Sequence, residues 1–352
     1  MDFERPLKAR FGEIHVPKKV KPGEFTYLPV VDLADLNSPS LEARKRLAAQ
    51  IFEAATIVGF FYIKNHGVPE DLIEHTRQLG RQYFALPHEA KMEQFAGKGD
   101  GVAGYFPPLH LMPNYAKEFL RVSGGPGVEG FEYGYDIEAD SEKGPEDKPR
   151  VDRYKLDGPR DWPSEALAPG FHEGLVRYYG AMLDLSRKLV RILALAVELP
   201  EDTFDEYFTW PAAMTRFMHY LHQQKPEHEP SSIEPHTDLS AFTILSQGEV
   251  SGLQVRNASG EWISAPVIPG TFVVNIGDIF HYWTNGLLRS TSHRAINLTG
   301  ENRLSIAYFF NPDSNAEIKV LNKFVSEEHP PIHEPFVVGA WVRRLMGLDA
   351  VN

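Results

Sequence analysis

Apolar residues follow two different periods along this chain. Phe171, Leu175, Tyr178, Met182, Leu185, Leu189, Ile192 and Ala196 recur at alternating steps of four and three, the stripe of a helix that buries one face against a sheet. One long helix is predicted there, ended by Leu199–Phe204. Leu47, Ile51, Ala55 and Val58 predict an earlier helix, with Ser38 or Ser40 placed to cap it. Leu28–Asp32 before it reads as a short buried strand, and Gly59–Ile63 after it returns to strand before the turn Asn65-His66-Gly67. Beyond Phe204 the period drops to two. Thr215–Tyr220, Phe242–Leu245, Gly252–Val255, Trp262-Ile263 and Phe272–Ile276 are short strand runs punctuated by Gly, Pro and the Asn257–Gly260 turn. This cadence predicts an antiparallel barrel or jelly roll.

The expected class is therefore mainly β with flanking helices: a double-stranded β-helix (jelly-roll) core joined to an α/β N-terminal region. Four stretches follow in order. Residues 1–26 form a polar lead-in, 27–204 an N-terminal region with the long helix, 205–315 the jelly-roll core, and 316–352 a C-terminal extension. Val337, Trp341, Val342 and Leu345 predict a helix within Pro335–Leu348 of that extension. The four are expected to make one integrated unit. Residues 95–165 are the least regular, and loops of that length are usually functional or mobile. They carry aromatic islands at Tyr105–Pro108 and Phe131–Tyr135. Two readings of Tyr105 and Phe131 stay open: contacts to a substrate at the site's mouth, or anchors of the loop to the core.

Composition narrows the chemistry. The chain has 352 residues, 42% hydrophobic and 24% charged, with a net charge of −12 and no cysteine. The absence of cysteine excludes disulfides, thiolate zinc sites, iron–sulfur clusters and a thiolate-ligated haem. The acidic balance and the lack of basic clusters argue against a nucleic-acid partner. No apolar run approaches a membrane span and Met1–Arg5 lacks a signal-peptide pattern, so a cytoplasmic protein without membrane partner is expected. The sequons at Asn257 and Asn297 read as coincidental, the latter on a predicted core strand.

Any redox chemistry must then use a histidine/carboxylate metal or a bound organic cofactor. His236 and Asp238, two apart, project to one side of a strand. A third ligand can arrive from a distant strand, and His293 is the candidate. Two imidazoles and one carboxylate make the facial triad of non-haem Fe(II) oxygenases, with positions left open for substrate and oxygen. On the predicted strand after Asn302, Arg303, Ser305, Ala307 and Phe309 share one face. A buried guanidinium needs an anion, and with a neighbouring hydroxyl it suits a carboxylate.

The ordered set His236-Thr237-Asp238, Gly252–Val255, Asn275-Ile276-Gly277-Asp278, Trp283-Thr284-Asn285-Gly286, Ser290–Arg294, Arg303-Leu304-Ser305 and Tyr308–Pro312 resembles the isopenicillin N synthase-like family of Fe(II)/2-oxoglutarate-dependent dioxygenases. The resemblance implies that His236, Asp238 and His293 hold Fe(II), that Arg303 and Ser305 grip the distal carboxylate of 2-oxoglutarate, and that Tyr220 hydrogen-bonds this co-substrate. It also implies that O2 and 2-oxoglutarate are consumed, giving succinate and CO2, while a small organic molecule is hydroxylated, desaturated or rearranged. The family often has Asn-x-Tyr where this chain has Met218-His219-Tyr220, a departure that touches co-substrate contacts.

Met218, Ala295 and Phe309 are pocket-wall candidates by strand alternation, and His281 is a candidate substrate contact at the barrel rim. His66, in a turn, and His219, His222 and His228 are read as structural or loop residues rather than ligands. Two rivals remain at this level. One is an iron oxidase of the same fold that does not use 2-oxoglutarate; the other is a non-catalytic metal- or 2-oxoglutarate-binding module, or a zinc-dependent barrel hydrolase or isomerase. Substrate and oligomeric state are not legible.

Overall fold

The strands that follow Phe204 close over one another as two facing sheets, and the helices lie on the outside of the larger one. This is seen in a computed structural model that describes residues 23–98, 103–113, 127–148, 151, 153–154, 162–222 and 232–346. The N-terminal region supplies β1 (Val30–Asp32), α1 (Leu41–Ile57), β2 (Phe60–Lys64), α2 (Glu70–Phe84), β3 (Gly104–Phe106), β4 (Val128–Tyr133) and α3 (Phe171–Ala196). The core follows with β5 (Met214–Tyr220), β6 (Ser232–His236), β7 (Phe242–Ser246), β8 (Leu253–Arg256), β9 (Trp262–Ser264) and β10 (Thr271–Ile276). It ends with α4 (Asp278–Trp283), β11 (His293–Ile296) and β12 (Arg303–Phe310). A two-strand ribbon, β13 (Glu317–Ile318) and β14 (Phe336–Val337), leads into α5 (Val338–Leu345).

The larger sheet runs β1-β2-β10-β7-β12-β5-β4-β3 and the smaller β6-β11-β8-β9. This is the expected jelly roll with flanking helices. Strands of the N-terminal region extend both edges of the larger sheet, so the 27–204 and 205–315 stretches share one sheet and one core.

Strand alternation divides this sheet into two chemically different faces. Outward-facing Phe61, Ile63, Phe217, Ile244, Val274, Ile306, Tyr308 and Phe310 bury against α1, α2 and α3 in the main core. The α3 stripe is wholly buried there, as its periodicity predicts. Inward-facing Tyr62, Leu245 and Val273 meet Leu253 and Val255 of the smaller sheet in a second cluster. Only part of the space between the sheets is filled in this apolar way. Register aligns the rest of the larger sheet's inner face in rungs two residues apart: Asn275–Thr243–Phe309–Met214, then Ala307–Arg216–Glu132, then Ser305–Met218–Gly130, then Arg303–Tyr220–Val128.

Four expectations are corrected. Within Leu28–Asp32 only Val30–Asp32 is strand, and it is an edge strand with Val30 exposed and Val31 packed with Ile63 in the helix-side core, not a buried strand. Residues 95–165 contain β3 and β4, hidden from the sequence because all six β4 residues are buried, including Glu129 and Glu132, so apolar and polar positions do not alternate. Asn297 sits in the turn after β11 rather than on a strand, its amide donating to the Glu301 carbonyl. The C-terminal helix starts only at Val338, because Phe336 and Val337 pair with Ile318 and Glu317 instead. The capping choice resolves to Ser40, whose hydroxyl accepts from the Ala43 amide.

Gly59 joins α1 to β2 with φ +79°, and a Cβ there would press on the Arg289 carbonyl oxygen and the Thr291 hydroxyl. The left-handed backbone and the close approach both penalise a side chain, together by about 2–4 kcal/mol. Gly59→Ala is expected to lower the thermal midpoint by several degrees in a melting curve. An unchanged midpoint would show that this crossing yields without cost.

Candidate active site

Three side chains from β6, the loop after it and β11 converge at one end of the space between the sheets. His293 is paired with His236 across the β6–β11 ladder, and the two rings lie 4.3 Å apart between centroids. Asp238 stands two residues past His236 and beyond the end of β6, so it joins the pair through the following loop rather than by alternation along a strand. The loop is fixed by backbone bonds: the Asp278 amide donates to the Asp238 carbonyl, and the Gly277 amide to that of Ala241. Asp238 Oδ1 lies 3.5 Å from His236 Nε2 and 3.6 Å from His293 Nε2. One ligand atom from each residue falls within 4.8 Å of the others.

The outer atoms of all three are occupied, which aims the inner ones. His236 Nδ1 lies 2.7 Å from the Glu234 carbonyl oxygen and His293 Nδ1 3.2 Å from that of Thr291. A carbonyl accepts only, so each Nδ1 carries the proton and each Nε2 presents a lone pair. Asp238 Oδ2 accepts from the Thr243 hydroxyl at 2.6 Å and the Asn275 amide at 2.8 Å, leaving Oδ1 for the shared centre. Such partners orient metal ligands in carboxylate and imidazole sites. Thr243 and Asn275 escaped the sequence reading as functional residues. Their signal was the inward phase of β7 and β10.

Electrostatics agree with this donor set. Burial works to raise the Asp238 carboxyl, but the charge of His293 and the hydrogen bond and charge of His236 hold it well below the usual carboxylate range. Burial pushes His293 down to about 4, against the pull of Asp238. Burial also works to lower His236, yet its bond to Asp238 outweighs this and the net shift is upward. His236 keeps 40% of its side chain exposed, against 5% for Asp238 and 10% for His293. The open side of the centre is therefore the His236 side, while Phe60 covers His293 edge-on with ring centroids 5.0 Å apart. A carboxylate and two unprotonated imidazole nitrogens with one open side fit a six-coordinate Fe(II) that retains exchangeable positions.

Three rungs along the inner face from the Asn275–Thr243–Phe309 level lies Arg303, 1% exposed. Its Nε donates to the Val250 carbonyl, one terminal nitrogen lies 3.3 Å from the Ser305 hydroxyl, and its guanidinium stacks 4.7 Å from the Tyr220 ring centre. Gly252 makes room for it, since a Cβ there would sit 3.0 Å from Arg303 Cδ and Nε. No carboxylate among the described residues pairs with this buried cation. A buried charge without a counter-ion is costly, so the site is built for an anionic ligand. Tyr220 meets Arg303 through its ring face, where the sequence reading gave it a hydrogen-bonding role.

The remaining candidates divide. Met218 and Ala295 belong to an apolar group with Val128, Tyr220 and Ile233 that spans the two sheets, and Phe309 lies on the metal-level rung. These three are where alternation predicts. Tyr105 and Phe131 are not: they face the helical layer, each 0% exposed. Phe131 packs on Tyr83, Trp162 and Phe171, and the Tyr105 hydroxyl donates to Glu129. Of their two readings the anchoring one holds, because both share the outward phase of Phe217 across the ladder. His281 lies on α4 with Nδ1 2.8 Å from the Leu288 carbonyl oxygen, so this nitrogen is engaged by its own loop.

His66 and His219 have structural roles, as expected. His66 Nδ1 accepts from the Val68 amide, and His219 pairs with Glu129 on the outer face. The His222 amide donates to the Asn302 side-chain oxygen, and His228 lies outside the described residues.

Known proteins agree with this geometry. Residues 212–312 match the 2OG-Fe(II) oxygenase superfamily, and 28–165 match the family described as non-haem dioxygenase in morphine synthesis, N-terminal. A 2-oxoglutarate-Fe(II) type oxidoreductase, ppzC of Metarhizium majus, is 34% identical over 91% of this chain and 87% of its own length. Homoarginine-6-hydroxylase 2-ODD-C23 of Glycine max is 30% identical over 85% and 89%. Among solved structures, a full-length Neurospora crassa protein in complex with alpha-KG superposes with TM-score 0.76 at 25% identity, covering 92% of this chain and 97% of that one. JOX2 in complex with 2OG, Fe and JA superposes with TM-score 0.69 at 26% identity, covering 97% and 92%. Among the described residues no helix is long and apolar enough to cross a membrane. Its paired imidazoles, oriented carboxylate and buried arginine set in a jelly roll agree with these relatives, and the chain belongs to the 2OG-Fe(II) oxygenase superfamily.

Proposed function

We propose that His236, Asp238 and His293 hold Fe(II) and that Arg303 with Ser305 binds the distal carboxylate of 2-oxoglutarate over the Tyr220 ring. The small organic molecule to be oxidised lies on the His236 side, against Met218, Ala295 and Phe309. The observation that carries this reading is Arg303: a guanidinium buried at the far end of the inner face, three rungs from the metal level, with no acidic partner among the described residues. The family's reaction couples O2-dependent oxidation of an organic substrate to decarboxylation of 2-oxoglutarate to succinate and CO2. Bound Fe(II) with 2-oxoglutarate supplies the activation of oxygen.

What the protein contributes is placement. Thr243 and Asn275 lock the Asp238 carboxylate, the Glu234 and Thr291 carbonyls fix both imidazole tautomers, and Arg303 sets the direction from which the co-substrate enters. The apolar group around Met218 excludes water from the co-substrate's length. No general acid or base is required, so the choice of C–H bond rests on how the pocket wall orients the substrate. Relatives whose names include an amino-acid hydroxylase, Azadirone synthase and Clavatol oxidase support a role in the oxidative tailoring of a specialised metabolite.

An anaerobic titration of the Fe(II)-loaded protein with 2-oxoglutarate, followed by the visible charge-transfer band of the chelate, tests the co-substrate assignment. Arg303→Ala is expected to weaken 2-oxoglutarate binding by about 30-fold or more, since removing one partner of a buried charge pair costs about 2–5 kcal/mol. Saturation at the same concentration in parent and variant would sink it. Thr243→Val combined with Asn275→Ala leaves Asp238 unsteered and is expected to weaken Fe(II) binding about 10–100-fold; an unchanged dissociation constant would mean that the carboxylate needs no such support.

Iron binding should also depend on pH in a defined direction. The raised pKa of His236 means that below it the metal must displace a proton, so affinity falls by about tenfold per unit as pH drops. The lowered groups His293 and Asp238 compete only in stronger acid. Calorimetry in buffers of different ionisation enthalpy should find proton release per Fe(II) growing toward one as pH is lowered through the raised pKa of His236 and vanishing well above it. Release that does not change with pH across this range would contradict the role given to His236.

A further inference from the structure

The inner face carries a second arginine whose situation is the opposite of Arg303. Arg216 occupies the rung between the metal level and the Ser305–Met218 level, opposite Ala307 on one side and Glu132 on the other. Its Nε donates to Glu132 Oε2. Its guanidinium stacks on Phe309 and Phe106, 5.3 and 6.0 Å from the ring centres. Glu132 is 1% exposed and the Arg216 side chain 18% exposed. A cross-strand ion pair stabilises a sheet by less than about 1 kcal/mol, whereas taking both charges out of water costs several. An apolar pair would serve a purely structural purpose better on a wall otherwise made of Phe106, Ala307, Phe309 and Met218. The pair is therefore placed for recognition.

Its net charge specifies the ligand. Arg303 is an uncompensated cation and calls for a carboxylate; Arg216 is compensated by Glu132, so a second anion brought to it would leave the pocket with excess buried negative charge. We propose that Arg216, positioned by Glu132, is the substrate-anchoring residue, and that the substrate is a neutral, planar, carbonyl-bearing molecule whose oxygen accepts from the guanidinium while its ring lies along Phe309. This deepens the functional proposal above and rests on it.

The test uses matched neutral and anionic probes, benzamide against benzoate and uracil against orotate. They are titrated anaerobically into protein whose Fe(II)·2-oxoglutarate band is already saturated, and perturbation of that band is the readout. Saturation by 2-oxoglutarate checks the functional reading separately, so failure of the probes bears on this proposal alone. The parent is expected to bind the neutral member of each pair at least about tenfold more tightly than the acid, a difference of about 1.4 kcal/mol. Glu132→Gln removes the compensating charge and should reverse that preference. Arg216→Met with Glu132→Gln, which buries no unpaired charge, should lose binding of the neutral probes tenfold or more while each variant's melting curve reports its folding. A folded Glu132→Gln protein with the parent's preference overturns the proposal. So does tight acid binding by the parent, or a saturated parent whose band no neutral probe perturbs.

Discussion

The Asp238 carboxylate is the point on which the site depends. It is a buried anion in a protein interior: a hydroxyl and an amide donate to one oxygen, while the other faces two imidazole nitrogens, a set that a bound cation completes. Those partners come from β11, β6, β7 and β10, so satisfying one carboxylate ties both sheets together at the end of the jelly roll. The same arrangement leaves three lone pairs aimed at a single point with their outward atoms already engaged. A site of that kind is assembled before the metal arrives, and iron binding then costs little reorganisation.

Pre-organisation requires a rigid wall, and the helical layer provides it. The larger sheet's outer face is almost entirely apolar and covered by α1, α2 and α3. Stability is thereby concentrated on one side of the sheet, and the inner face is free to carry groups that a core would exclude. Along that face two arginines stand at different levels with different counter-charges: Arg303 faces none, Arg216 faces Glu132. In the proposed reading each cation is matched to the charge of one ligand and mismatched to the other, which adds selectivity.

Much of this was legible in the chain. Period-two runs after Phe204 and the four-three stripe of Phe171–Ala196 determined which residues point at helices and which point inward, so Met218, Ala295, Phe309, Arg303 and Ser305 could be assigned to a face from spacing alone. His236, Asp238 and His293 were recognisable by residue type and by the motifs around them. The wrong assignments share one cause. Tyr105 and Phe131 were read as possible mouth residues because β3 and β4 could not be seen: a strand buried on both faces shows no alternation, and Glu129 and Glu132 look like surface residues until their partners are known.

The sequence by itself thus determined the fold class, the inward phase of the core strands and which side chains are the candidates for holding metal and anion, because periodicity and chemical type are local properties. Tertiary structure decided what depends on neighbours distant in the chain. It set the ladder register that puts Thr243 and Asn275 on Asp238, the placement of β4 that sets Glu132 beside Arg216, and the outward phase that removes Tyr105 and Phe131 from the pocket. Each of these joins segments separated by tens of residues, and a charge is a ligand site or a salt bridge according to which segment the fold brings opposite it.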